Sequence, residues 1–162
     1  MKTFLVSLFA AAVLLLNMTP ATAQKAKQND VNTVFARGEP RVSPNFTGKT
    51  YLTPLSDRDK RWNTAIGNVT FEPKARTHWH SHSAGQILLI VGGTGYIGEK
   101  GKPARKVQKG EIVRIPAGLV HFQAAAPNSM FEHVSIEPNA TNNKHTWLGP
   151  VTDEEYAAAI KE

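Results

Sequence analysis

Residues 77–86 read T-H-W-H-S-H-S-A-G-Q, and this stretch constrains the fold more than any other. Alternate residues of a β-strand share a face, so His80 and His82 are expected side by side as two imidazoles on one rigid wall. His78 has the same parity and is expected at the cavity mouth or on the surface where the strand begins. Imidazole is the commonest protein ligand for a divalent transition metal. His121 and His133 fall in two later segments with strand character. A sheet that closes into a barrel brings His121 opposite the pair. Three ordinary core histidines would instead bury unpaired polar rings at considerable cost. The pattern predicts a metal site inside a β-barrel, with His80, His82 and His121 as ligands. Gln86, four residues after His82, is the candidate fourth ligand, against a strand-start amide that bonds backbone.

The rest of the chain supports an all-β fold. Residues 50–52, 64–71, 77–82, 111–115, 120–125 and 131–136 are short and β-prone. Residues 86–91 form a nearly continuous apolar run, as expected of a strand buried on both faces. Gly92-Gly93 and Gly101-Lys102-Pro103 read as turns. Turns every eight to twelve residues suggest a sandwich or barrel. Residues 152–161 alone read as helix, with Thr152 as N-cap and Glu155 completing a capping box. Trp62, Trp79 and Trp147 are expected to serve packing, Trp79 facing away from the metal by its parity. Gln123 shares the parity of His121 and is expected to face the cavity. His145 lies in a polar stretch with Asn142 and Asn143 and receives no role.

Lys2, the apolar run of residues 4–16 and Ala21-Thr22-Ala23 have the form of a secretory signal peptide, expected over residues 1–23. The apolar run is too short for a membrane span. With no cysteine there is neither disulfide nor lipoprotein attachment, which for an exported chain suggests a bacterial periplasm. Residues 24–44, polar and broken by Pro40 and Pro44, read as an N-terminal arm expected to extend against a partner subunit in a dimer or tetramer. Residues 45–162 read as one domain. The formal net charge of +6 comes from scattered basic residues. Lys100, Lys102, Arg105, Lys106 and Lys109 flank a Gly-Pro turn and belong to a solvated hairpin. A nucleic-acid partner is not expected, since no basic stripe carries aromatic residues.

Two spaced motifs add a family. His80, His82 and Gly93 are followed by Gly110, Pro116, Gly118 and His121 at the separations seen in the cupin superfamily, which the chain therefore resembles. Lys74 stands where the first motif opens with Gly, Gln86 replaces its Glu, and Ala125 replaces the closing Asn of the second. The resemblance implies a single-domain jelly-roll barrel with a short C-terminal helix. The stretches F-T-G (46–48), F-E-P-K-A-R-T-H-W-H-S-H-S-A-G-Q (71–86) and V-T-D-E-E-Y (151–156) are similar to small bacterial cupins that include manganese-dependent hydroxynitrile lyases. In those lyases Gln in place of Glu is normal. Their metal set corresponds to His80, His82, Gln86 and His121, and their further active-site histidine to His133. They usually carry a second histidine two residues after the last ligand, where this chain has Gln123. His78 also stands where a small residue is common.

A neutral ligand set of three imidazoles and an amide leaves the full 2+ charge on the ion, which makes it a stronger Lewis acid. Nitrogen and oxygen donors without thiolate suit Mn, Fe, Co, Ni or Zn, manganese being favoured by the resemblance. His133 has the intrinsic pKa of a general acid/base or serves to orient a ligand. The expected function is a lyase of the hydroxynitrile-lyase kind acting on small oxygenated molecules. The alternatives are a metal-dependent dioxygenase and a non-catalytic periplasmic module that binds a metal or small ligand.

Overall fold

The computed structural model describes residues 33–56 and 60–161. The expected signal peptide and residues 24–32 of the expected arm lie outside the described residues. Twelve strands and one helix follow in order: β1 (Pro40–Arg41), β2 (Phe46–Thr47), β3 (Thr50–Ser56), β4 (Thr64–Phe71), β5 (Arg76–Thr77), β6 (His80–His82), β7 (Gln86–Glu99), β8 (Arg105–Gln108), β9 (Ile112–Ile115), β10 (His121–Ala125), β11 (Phe131–Pro138), β12 (His145–Trp147) and α1 (Asp153–Ala159). Every pairing is antiparallel. One sheet runs β1-β3-β4-β11-β7-β9. The other runs β2-β5-β10-β7-β8, with β6 and β12 added beyond β10. The two sheets face each other as a curled jelly roll. The end of the expected arm is thus tied into the first sheet, through Pro40 opposite Tyr51 and Arg41 opposite Thr50.

The long strand β7 belongs to both sheets. Its first half pairs with β9 and β11, and its second half with β8 and β10. Gly92-Gly93, expected as a turn, lies inside this strand where it passes from one sheet to the other. Gly93 has φ +66°, and a Cβ there would sit 1.8 Å from the Met130 carbonyl oxygen. Only glycine permits both the backbone conformation and the close approach of β11. The apolar run before it is buried on one face rather than two: Leu88 and Ile90 point into the core, while Ile87, Leu89 and Val91 are half-buried outside.

The core between the sheets is built from Val69, Phe71, Leu88, Ile90, Val113, Ile115 and Phe131. A second cluster lies on the outer face of the other sheet, where Trp79, Phe122, Val151 and Tyr156 seat α1. Trp79 meets Phe122 edge-on at 4.9 Å, away from the histidines, as its parity predicts. The helix forms where expected, with Thr152 accepting from the Glu155 amide and the Glu155 carboxylate accepting from the Thr152 amide. Arg76 fastens it, donating to the Val151 carbonyl and pairing with Asp153 at 2.6 Å. Among the described residues no helix is long and apolar enough to cross a membrane.

Candidate metal centre and cavity

Strands β6 and β10 lie side by side, with His121 directly opposite His80. The period of two then puts His80, His82 and His121 on the inner face, where they are 3%, 2% and 0% exposed. Ring centroids are 4.3 Å apart for His80 and His121, 5.1 Å for His80 and His82, and 5.6 Å for His82 and His121. One nitrogen from each falls within 4.8 Å of the others. Nδ1 of His80 donates to the His78 carbonyl and Nδ1 of His121 donates to the Leu119 carbonyl, each at 2.9 Å. Those bonds fix the tautomers and leave Nε2 as the lone-pair nitrogen. Nε2 of His121 is buried with no hydrogen-bond partner in the protein. Burial, with the neighbouring imidazoles adding to it, pushes His80 down to about 2, and burial also lowers His121. Three converging imidazoles, with His80 and His121 held neutral and the Nε2 of His121 orphaned, fit a divalent cation.

His80 and His82 open on a cavity of about 500 Å³ between the sheets, a size suited to a small molecule. One wall is apolar, from Phe46, Leu52, Val69 and Phe71; the other carries His80, His82, Gln86 and Gln123. Gln86 opens β7 beside the histidines. Its Nε2 donates to Ser135 Oγ at 2.8 Å and its Oε1 accepts from Gln123 Nε2 at 2.9 Å. The amide is therefore held by side chains on β10 and β11 rather than by backbone. Its oxygen keeps a second lone pair for an ion.

His133 on β11 faces the same cavity. It lies between the rings of Phe71 and Phe131, at 5.6 and 5.4 Å, and both of its ring nitrogens are buried without a hydrogen-bond partner. Burial first, and the neighbouring His121 second, push its pKa down to about 3. The ring is neutral at neutral pH and so carries one N–H and one lone-pair nitrogen within the cavity.

His78 is not a cavity residue. The chain bends at His78 and Trp79 between β5 and β6, so Thr77 and His80 both point inward while His78 turns aside. Its Nε2 lies 3.5 Å from Thr47 Oγ1, and its role is to offer the carbonyl that orients His80.

His145, expected in a loop without a role, lies instead on β12, which pairs with β6 so that His145 faces His82 and Trp147 faces His80. Trp147 stacks on His80 at 4.6 Å and His145 meets His82 edge-on at 4.4 Å. Glu137, four residues beyond His133 on the same strand face, also lines the cavity and holds His145 Nε2 at 3.0 Å. The alternation of His145, Thr146 and Trp147 was the signal for β12. The shared parity of His133, Ser135 and Glu137 was the signal for the carboxylate.

The cupin family model matches residues 38–159. A relative from Granulicella tundricola, an (R)-mandelonitrile lyase, is 34% identical over 111 residues, covering 68% of this chain and 85% of that one. The crystal structure of a cupin-like protein from Thermotoga maritima superimposes with a TM-score of 0.77 at 41% identity, over 81% of this chain and 100% of that one. A polyketide cyclase from Streptomyces resistomycificus shares the fold, with a TM-score of 0.57 at 17% identity over 82% of this chain and 89% of its own.

Proposed function

The chain belongs to the cupin family, and from that premise we propose that it is a metal-dependent lyase which splits small hydroxylated molecules of the cyanohydrin kind into a carbonyl compound and cyanide. The observation that carries this reading is the convergence of three imidazoles beside a half-apolar cavity that also holds His133. The relative's activity supports the same class of substrate. His80, His82, His121 and Gln86 would hold one divalent ion, manganese being the one we favour. Once bound, the ion supplies Lewis acidity toward a hydroxyl or carbonyl oxygen.

The chain's own groups do the rest. The apolar wall of Phe46, Leu52, Val69 and Phe71 takes the substrate's hydrocarbon part and leaves its oxygen toward the histidines. His133 accepts the hydroxyl proton as the carbon–carbon bond to the nitrile breaks and the carbonyl forms. It then returns that proton to the departing cyanide, so the reaction is balanced without a further reactant. Gln123 holds the Gln86 amide in place. Because the ligand set is neutral, Gln86→Glu should retain the metal and lower turnover, the added carboxylate cancelling one charge. Higher turnover of that variant on mandelonitrile would refute the argument from metal charge.

The convergence of polar groups on the cavity favours catalysis over passive storage. Elemental analysis of metal-supplemented protein should find about one equivalent of divalent ion per chain; less than about a tenth of an equivalent sinks the reading. Benzaldehyde release from mandelonitrile tests the reaction itself. The leader-like residues 1–23 support export to a periplasm, which N-terminal sequencing of the mature protein checks.

A further inference from the structure

Glu137 is the one acidic side chain among the described residues that line the cavity. It comes from β11, His145 from β12 and His82 from β6, three strands that meet at one end of the site. One donor atom from each of these residues lies within 4.8 Å of the others. Two donors on adjacent corners around a first-row ion, with bonds of about 2.1 Å, stand about 3 Å apart. The Nε2 of His145 and the Oε2 of Glu137 are separated by 3.0 Å. Their side chains are 25% and 13% exposed, whereas His121 at the far side of the site is fully buried. An ion arriving from solvent therefore meets Glu137 and His145 before it meets His121.

We propose that His82, Glu137 and His145 form a second position for a divalent transition ion at the cavity mouth, overlapping the inner one through His82. The proposal rests on the inner His80, His82 and His121 centre being a metal site. The two positions differ in chemistry. The outer set contributes one carboxylate and two imidazoles, a donor set that suits Fe, Zn and neighbouring ions. Its negative charge draws the cation in and offsets part of its charge. The inner set is neutral and leaves that charge available. Since both positions need His82, one ion occupies one or the other, and the ring on β6 is the hinge of the transfer. Glu137 and His145 load the site, and His80, His121 and Gln86 keep the ion.

Zn(II) titration of the metal-stripped full chain tests this. Wild type should bind about one equivalent. His121→Ala, which removes the inner set, should still bind about one, through the outer position. Adding Glu137→Gln to that variant should weaken binding by about tenfold or more. Stopped-flow loading gives a second arm that leaves the inner set intact, so it holds even if His121→Ala does not fold. There Glu137→Gln alone should take up Zn(II) about tenfold more slowly, through loss of electrostatic attraction. Equal affinity of His121→Ala and its double variant, or an unchanged loading rate in Glu137→Gln, overturns the proposal. Absence of binding by wild type would instead strike at the metal centre itself.

Discussion

Leaving a buried polar group without a hydrogen-bond partner costs roughly 1–3 kcal/mol, and His133 has two such nitrogens. A ring kept at that cost, between two phenylalanines and facing the metal ligands, is better explained by chemistry than by packing. His133→Ala should leave metal content near wild type and lower turnover on mandelonitrile by about a hundredfold or more, the scale of a lost general acid/base. Equal loss of metal and turnover would make the ring a support for the ligands instead. The same burial predicts acid lability. The folded ring takes up a proton near pH 3, but the unfolded ring does so near pH 6.5, so the unfolded state binds more protons between those values. Stability of the metal-free protein should be level above about pH 6.5 and fall below it, by up to about 1.4 kcal/mol per pH unit for this one histidine. Urea denaturation across that range should show a shallower fall in His133→Gln. An identical slope would mean that His133 does not contribute.

At the scale of elements, β7 decides whether two sheets form at all. Its crossing from one sheet to the other depends on Gly93, where a side chain would meet the Met130 carbonyl in a left-handed backbone. Gly93→Ala should destabilise the protein by more than about 2 kcal/mol, combining backbone strain with a clash that β11 must yield to; a loss of under about 0.5 kcal/mol in urea denaturation would contradict this. The crossing also shows what the sequence conveys. A glycine pair between β-prone runs has the composition of a turn, and only the partner strands reveal that the chain continues straight through. His80, His82 and His121 were legible because strand parity fixes a face whatever the partner. His78 was left between the cavity mouth and the surface because a two-residue bend resets that parity. The role of Gly93 and the meeting of Glu137 with His145 depend on which strands become neighbours, and that information lies in the fold rather than in any local pattern. The capping box of α1 is wholly local, and it appeared where its residues placed it.

Across the whole molecule, the centre joins parts that share little else. β6 has only three residues, pairs with β10 through the single register pair His121 and His80, and is backed by the equally short β12. An ion held by His80 and His82 on β6, His121 on β10 and Gln86 on β7 would act as a cross-link at this thin part of the barrel. Removing it should therefore loosen β6 and β12 first, while β3, β4 and β11, paired along much of their length, keep their protection. With free metal at a hundred times its dissociation constant, binding adds about 2.7 kcal/mol of stability, which for a domain of this size raises Tm by about 5–10 °C. Calorimetry of chelator-treated protein should show that loss, and restoring the ion should reverse it. Amide hydrogen exchange should show the faster exchange confined to residues 78–86 and 143–148. A protein that holds its ion yet melts at the same temperature without it, with exchange unchanged at those strands, would mean that the barrel is closed by its own packing and that the histidines serve chemistry alone.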